Sequence, residues 1–318
     1  MKKVLIIGGA GFVGYHLIRH LQGDLGWGVS ATKLPNEHLA MSGVEIFDLD
    51  ILQKDQIVTL FMKTRPDAIF HLAAQSSVAL SWKNPALTVD VNVKGAVQVL
   101  EAARALDYKP RLLLIGSAEE YGRAEPGDRP IDEQTVPRPG NIYAATKTCQ
   151  NMLGKIYADA YGLDVLMVRA FNHVGPGQPF GFVVPDFCRQ IVEIEIGKRE
   201  PVVKVGNLSA RRDFTDVRDV VRAYSLLIER GQAGETYNIG SGHAVEMRAI
   251  LEKLLALSPA KITVEADPQK FRPVDVPVVE AGITKLHELT RWRPQILLEQ
   301  TLADTLGYWR AKIKAETV

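Results

Sequence analysis

The chain has 318 residues, long for one compact core and enough for a large domain plus a smaller one. Hydrophobic residues make up 46% and charged residues 24%; a formal net charge of +1 offers no global field for nucleic acid or an acidic membrane surface. The two cysteines, Cys149 and Cys188, form no C-x-x-C pair, which excludes a disulfide scaffold and a structural zinc site and fits a reducing cytoplasm.

Met1-Lys2-Lys3 and the apolar residues after it imitate the start of a signal peptide. The run breaks at Gly8-Gly9 after four apolar residues, so a buried first strand is the expectation. No stretch approaches the roughly 18–20 apolar residues that span a bilayer. Short β-rich runs over 4–7, 29–32, 68–72, 112–115 and 165–168 predict strands buried on both faces. Helical patterns over 12–21, 53–63, 86–106 and 141–161 alternate with them. Repeated β-α units specify a parallel, doubly wound sheet, because parallel strands need crossovers. After about residue 170 the texture changes: Gly175-Pro176-Gly177-Gln178-Pro179 is turn-rich, and helical patterns follow over 185–196, 217–229, 246–257 and 297–313. The expected architecture is α/β, with a Rossmann-type doubly wound sheet over 1–170 to which part of 213–240 returns. A second, smaller mixed α/β substrate domain takes 171–212 and 241–318, and ligands are expected in the cleft between the two.

The first strand runs into Gly8-Gly9-Ala10-Gly11-Phe12-Val13-Gly14, a G-x-x-G-x-x-G spacing. Gly8 permits the tight turn, Gly11 admits a pyrophosphate close to the backbone, and Gly14 lets helix and strand pack closely. The free N–H groups of the helix start favour phosphates, so a dinucleotide is expected here. The end of the second strand bears on which one. A NAD site wants an acid there; this chain has Thr32 and Lys33, and no acid until Glu37. Thr32 can hydrogen-bond a 2′-phosphate and Lys33 can pair with it, which points to NADP(H). The plain alternative for Lys33 is a solvated loop lysine.

Tyr143-Ala144-Ala145-Thr146-Lys147 places a phenol and an ammonium four residues apart on one helical face. A cation beside a phenol lowers its pKa and lets it exchange a proton near neutral pH. Ser117, at the C-terminal end of the fourth strong strand, is placed to hydrogen-bond the oxygen that Tyr143 protonates. Ser…Tyr-x-x-x-Lys after such a glycine turn resembles the short-chain dehydrogenase/reductase superfamily, and the length and second domain resemble its extended, nucleotide-sugar-modifying branch. His71-Leu72-Ala73-Ala74, Asn92-Val93-x-Gly95, Glu120-Tyr121-Gly122 and Arg212-Asp213-Phe214 carry the likeness further. Residues 115–122, 171–178 and 204–208 make the chain similar throughout to GDP-4-keto-6-deoxy-D-mannose reductases.

That resemblance implies NADPH-dependent reduction of the C4 carbonyl of a GDP-linked 4-keto-6-deoxy sugar, with GDP-D-rhamnose as product. Tyr143 is the implied proton donor, Ser117 holds the oxygen, and Lys147 binds the nicotinamide ribose and depresses the tyrosine pKa. Adenine contacts are implied at Asp50 and Ile51, and backbone contacts to the cofactor around Leu72, Ala73 and Ala74. Phe12 and Val13 complete the cofactor turn. Arg212 and Arg272 match the diphosphate-binding arginines, Asp275 a ribose-hydroxyl acceptor, and Asn172 the Asn that reaches the diphosphate-sugar. Ser76 lies in an expected sugar-facing loop. Asn92 either stabilises the bend beside the site or is an ordinary helix-interior polar residue. The helices around 86–106 and 141–161 resemble the pair that forms a dimer interface in the superfamily, so a homodimer is expected.

Glu119 opens an alternative. A Glu at this position is the base that drives water elimination in related GDP-mannose 4,6-dehydratases, although Ser117 replaces their Thr. A non-catalytic NADP-binding regulator on the same fold is the rival of a different class; retention of Ser117, Tyr143 and Lys147 speaks against it. The seven histidines show no metal spacing, and no hydrolase elbow or Walker loop is present.

Overall fold

The computed structural model describes residues 1–123, 130–271 and 276–315. In chain order the first half contains β1 (Lys3–Ile7), α1 (Phe12–Arg19), β2 (Gly28–Lys33), β3 (Glu45–Asp48), α2 (Lys54–Thr64), β4 (Ala68–His71), α3 (Val78–Lys83), α4 (Pro85–Val89), α5 (Gly95–Arg104), β5 (Arg111–Ser117), α6 (Ile142–Tyr161) and β6 (Val165–Ala170). The second half contains β7 (Asn172–Val174), α7 (Val183–Glu195), β8 (Val202–Val205), β9 (Arg211–Asp216), α8 (Val217–Arg230), β10 (Thr236–Ile239), β11 (Ala244–Glu246), α9 (Met247–Ala256), β12 (Thr263–Ala266), β13 (Val278–Val279), α10 (Thr284–Thr290) and α11 (Leu298–Ala315).

Among the described residues, seven strands form a wholly parallel sheet in the order β10-β6-β5-β4-β1-β2-β3. The strand runs are nearly continuous in apolar residues because both faces are covered. On β1, Val4 and Ile6 join Leu17, Val29, Phe70, Leu113 and Leu166 beneath α1 and α8. Leu5 and Ile7 point the other way, into a core with Phe61, Ile69, Leu100, Leu112 and Leu114. Each such side chain, fully buried, contributes about 1.5–3 kcal/mol. Val220, Tyr224 and Tyr237 belong to the first of these cores, as do Leu286 and Trp292 from beyond α9. A separate core gathers Val184, Phe187 and Ile191 of α7, Ile250 and Leu254 of α9, and Leu302, Leu306 and Trp309 of α11. Over it, β9 pairs with β11 on one edge and with β13 and then β7 along the other.

The parallel α/β expectation is met, and two local features depart from it. The helix expected over 86–106 is α4, a five-residue π-helical turn over Asp90–Lys94, and then α5. Asn84 starts it, its side chain accepting the Leu87 N–H at 3.1 Å, with Pro85 in the first turn. The strand β3 was not anticipated, since its four residues are only partly buried and carry no run of apolar side chains. Among the described residues no helix is long and apolar enough to cross a membrane.

Candidate active site

All the chemistry-bearing residues that the sequence singled out on strands β1, β2, β4 and β5 emerge at the C-terminal edge of the parallel sheet, where such folds bind ligands. The glycine turn opens there. Gly8 has φ +89°, and a Cβ on it would press on the backbone of Ala73; a Cβ on Gly14 would run into the backbone of Gly9. The turn is therefore wedged between β1 and the segment after β4. Leu72 and Ala73 both donate their N–H groups to the Ile7 carbonyl at 2.9 Å, which brings the Leu72-Ala73-Ala74 backbone beside Gly8. No side chain caps the first N–H groups of α1, and Gly11 at its start is exposed.

Phe12, at the start of α1, stacks on His173 with ring centroids 6.1 Å apart and meets His16 edge-on at 5.5 Å. His16 Nε2 lies 2.8 Å from the Pro176 carbonyl. The cofactor turn is thus fastened to the loop that follows β7. Val13 packs from the same helix against the main core.

Thr32 has a different task from the one expected. It is 1% exposed, and its hydroxyl accepts the Gly8 N–H at 3.1 Å while its carbonyl accepts the Gly9 N–H at 2.7 Å. It pins the glycine turn from behind, with its hydroxyl engaged there. Lys33 in turn is ion-paired with Asp48, which the register of β2 and β3 sets directly opposite it. An acid absent from the end of the second strand is supplied by the third. Asp50 turns its carboxylate onto the Leu52 N–H at 2.9 Å, and the Ile51 side chain is buried in the core.

Asn141 caps α6, its side-chain oxygen accepting the Ala144 N–H at 2.8 Å, and its amide donates to Glu119 at 3.0 Å. Tyr143, in the first turn of α6, is 9% exposed and close enough to Ser117 for that side chain to act on its phenol. Ser117 Oγ also accepts the Glu119 N–H at 3.2 Å. Lys147, 3% exposed, donates to the Ile115 carbonyl at 2.7 Å and to Gln150 Oε1 at 3.1 Å. The expected lowering of the tyrosine pKa is not what this environment produces. Burial pushes the Tyr143 phenol well above its ordinary range; the nearby Ser117 side chain opposes this, and the charges of Glu119 and Glu120 add to it. Burial also brings the Lys147 amine down to about 8, with Glu120 opposing. Tyr143 is accordingly held as the protonated phenol.

Asn92 is fully buried in the π turn. It accepts the Gln75 N–H at 2.8 Å and donates to the Gln75 carbonyl and the Thr146 hydroxyl, both at 3.0 Å. Of the two roles weighed for it, the bend beside the site is the one the contacts describe. Ser76, next along, is exposed in the loop before α3.

Asn172 is exposed just past β6, two residues beyond Ala170, which pairs with Ser117. Arg212, on β9, donates to the carbonyls of Arg211 and Val276 at 2.9 and 2.6 Å, so it reaches the far end of the segment that carries Arg272 and Asp275. Arg272 and Asp275 themselves lie outside the described residues. A cleft of about 360 Å³ lies between residues 205–209, Arg248, Val264, Ala266 and Phe271. Asp48, Asn141, Gln150 and the Glu120–Arg169 pair were not assigned roles from sequence. Asn141 left a signal as an Asn at the start of a helical pattern, and Glu120 as part of the Glu120-Tyr121-Gly122 stretch.

A dinucleotide-type turn sharing one sheet edge with a Ser-Tyr-Lys group, followed by a second core, defines an extended short-chain dehydrogenase/reductase. Within that class the chain belongs to the GDP-mannose 4,6 dehydratase family, whose model matches residues 5–305. It is 32% identical over 316 residues to a GDP-6-deoxy-D-mannose reductase from Pseudomonas aeruginosa, with 99% of both chains covered. Its fold is similar to that of RMD from Pseudomonas aeruginosa complexed with NADPH, with a TM-score of 0.86 and 30% identity over 98% of this chain and 100% of that one. A UDP-glucose 4-epimerase from Thermus thermophilus, in complex with NAD, is similar at a TM-score of 0.86 and 28% identity, covering 97% of this chain and 99% of that one.

Proposed function

We propose that this protein is an NADPH-dependent reductase that converts the C4 keto group of GDP-4-keto-6-deoxy-D-mannose to the alcohol of GDP-D-rhamnose. The carrying observation is Tyr143 buried beside Ser117 at the sheet edge near the glycine turn, with the phenol kept protonated by burial. The uncapped N–H groups of α1 and the exposed, Cβ-free Gly11 suit a diphosphate. When bound there, NADPH supplies the hydride for the carbonyl carbon. Tyr143 gives its proton to the carbonyl oxygen as charge develops, and Ser117 hydrogen-bonds the same oxygen. Lys147, fixed by Ile115 and Gln150, keeps one further N–H for the nicotinamide ribose. Lys33 meets the 2′-phosphate. Gly8, Gly11, Phe12, Val13, Gly14 and the backbone at Asp50, Ile51 and 72–74 line the rest of the cofactor site.

Asn172, Arg212, Arg272, Asp275 and Ser76 are assigned to the nucleotide-sugar, whose base takes the cleft beside residues 205–209. The residues 1–170 with part of 213–240 serve as the cofactor domain, and 171–212 with 241–318 as the substrate domain. A homodimer through α4–α5 and α6 accounts for the exposure there of Leu87, Val89, Met152 and Ile156. The setting is the cytoplasm, in keeping with the free thiols of Cys149 and Cys188.

One observation supports a second reading, a GDP-mannose 4,6-dehydratase. Glu119 is held by Asn141 close enough to Tyr143 for its charge to act on the phenol. A single assay separates the two. With GDP-4-keto-6-deoxy-D-mannose the reductase consumes one NADPH per product, identified by NMR. A dehydratase instead converts GDP-mannose with no net change in cofactor, and that result would replace the proposal.

A further inference from the structure

The acid beside Glu119 has no part in the chemistry described so far. Glu120 is 0% exposed, and its carboxylate lies directly behind the site. One oxygen accepts the Ser117 N–H at 2.9 Å, and the other accepts Arg169 Nε–H at 2.9 Å. The Arg169 side chain is only 9% exposed. Burying such a pair is costly in desolvation, and apolar side chains of like volume commonly serve stability as well or better.

The surroundings are shaped around it nonetheless. Gly116 has no Cβ, and one placed there would collide with the Glu120 carboxylate. Arg169 lies over the Tyr121 ring at 4.7 Å, Tyr121 donates to Asn238 at 2.7 Å, and Asn238 donates to the Ile131 carbonyl at 2.9 Å. Strands β5, β6 and β10 are all tied to one buried charge. We infer that Glu120 is a positioning residue for the reaction proposed above: its carboxylate holds the Ser117 end of β5 in place and sets the charge around Tyr143 and Lys147.

Tyr143 and Lys147 occupy the same poorly solvated region, where a fixed charge acts strongly. The charged and titratable groups around them are Glu119 and Glu120 on the turn after β5, His71 on β4, Arg169 on β6 and the buried Tyr224 phenol on α8. His71 is neutral, since burial holds it at about 3 with the Lys147 charge adding to the effect. Glu120 favours the neutral phenol of Tyr143 and the charged amine of Lys147. Both are the forms a proton donor with a cationic partner requires. Glu119 acts on Tyr143 ahead of Glu120, whereas Glu120 is the acid that acts on both Tyr143 and Lys147. Burial raises the pKa of its own carboxyl, and Arg169, the Ser117 N–H and Lys147 oppose that, so an amide of the same shape would remove the charge they hold there.

The test follows the ionisation of Tyr143 by near-ultraviolet phenolate absorbance, as the difference between each protein and its Tyr143→Phe version. It is paired with the pH profile of kcat/KM on the 4-keto sugar. Glu120→Gln keeps the volume and an acceptor for the Ser117 N–H and removes the charge. The expected result is a phenol titration and an alkaline limb ~0.5 pH unit or more lower than in the wild type, with kcat down about tenfold and NADPH affinity within about twofold. Because this variant leaves Arg169 without its counter-charge, Glu120→Met combined with Arg169→Met is measured beside it and should show the same shift. An unmoved phenol titration in either folded variant overturns the inference, whatever kcat does. Failure of both variants to fold also overturns it, since the pair would then serve stability. Wild-type protein that titrates as expected but turns over no 4-keto sugar counts against the reduction and leaves Glu120's effect on Tyr143 standing.

Discussion

Tyr143 and Ser117 form the pair on which the proposed chemistry turns, and neither depends on a charge being delivered from outside. Tyr143→Phe removes the proton and keeps the ring in its buried place. We expect turnover to fall by about 10²–10⁴-fold, with NADPH affinity by calorimetry nearly unchanged; retained turnover would remove Tyr143 as the donor. The proposed preference for NADPH rests on another single contact. Lys33 is held by Asp48, whose carboxylate is 58% exposed, so a 2′-phosphate competes with an acid for the same ammonium. An exposed pair of this kind is weak, and Asp48→Asn should raise the NADPH-to-NADH ratio of kcat/KM by only about two- to fivefold. Lys33→Glu should move the ratio the other way. A ratio unmoved by both changes would place the ribose end of the cofactor elsewhere.

Among the elements, the π turn between α4 and α5 matters most to the site. A regular helix over 86–106 would satisfy its own backbone and bring no side chain to Gln75. The extra residue in the turn accompanies an inward Asn92, which joins the segment after β4 to α6 through Thr146. Asn92→Leu leaves the Gln75 N–H without that partner, a loss of about 1–3 kcal/mol in stability. Urea unfolding should show a lower midpoint at unchanged slope. Because the segment also braces the glycine turn through Ala73, the KM for NADPH should rise as well. A loss of stability with cofactor binding intact would make the turn a packing feature only. The start of α6 has a similar double use, since Asn141 caps the helix and restrains Glu119.

For the molecule as a whole, burial of titratable groups under the sheet edge couples folding to pH. His71 is 1% exposed, with no hydrogen-bond partner for either ring nitrogen among the described residues, and burial holds it at about 3. The unfolded chain protonates this histidine below roughly 6.5, so between about 3 and 6.5 the unfolded state binds more protons than the folded one. Stability from this group therefore falls as pH drops through that window, by at most about 1.4 kcal/mol per pH unit. His71→Met should flatten the acid limb of stability measured by urea midpoints between pH 7 and 5; an unaltered limb would assign the acid sensitivity to other groups. Lys147, brought down to about 8, acts on the alkaline side. An unfolded lysine still binds its proton between about 8 and 10.5 where the folded one has lost it, so this group's penalty is relieved as pH rises there.

The sequence by itself determined the parallel α/β plan, the glycine turn and the Tyr-Lys spacing, because each is a short-range pattern. Apolar periodicity selects strand or helix, a triplet of glycines selects one turn, and four residues make one helical face. Only the tertiary structure decided what those residues touch. Thr32 turns inward to Gly8, 24 residues away in sequence; Asp48 meets Lys33 across 15 residues, and Arg169 reaches Glu120 across 49. Lys147 reaches the Ile115 carbonyl across 32 residues, and burial is the largest influence on the Tyr143 phenol. Strand register and helix docking set such distances, and no local pattern encodes either. The same fold that made the donor legible from sequence placed beneath it a second acid that the sequence showed only as a letter in a motif.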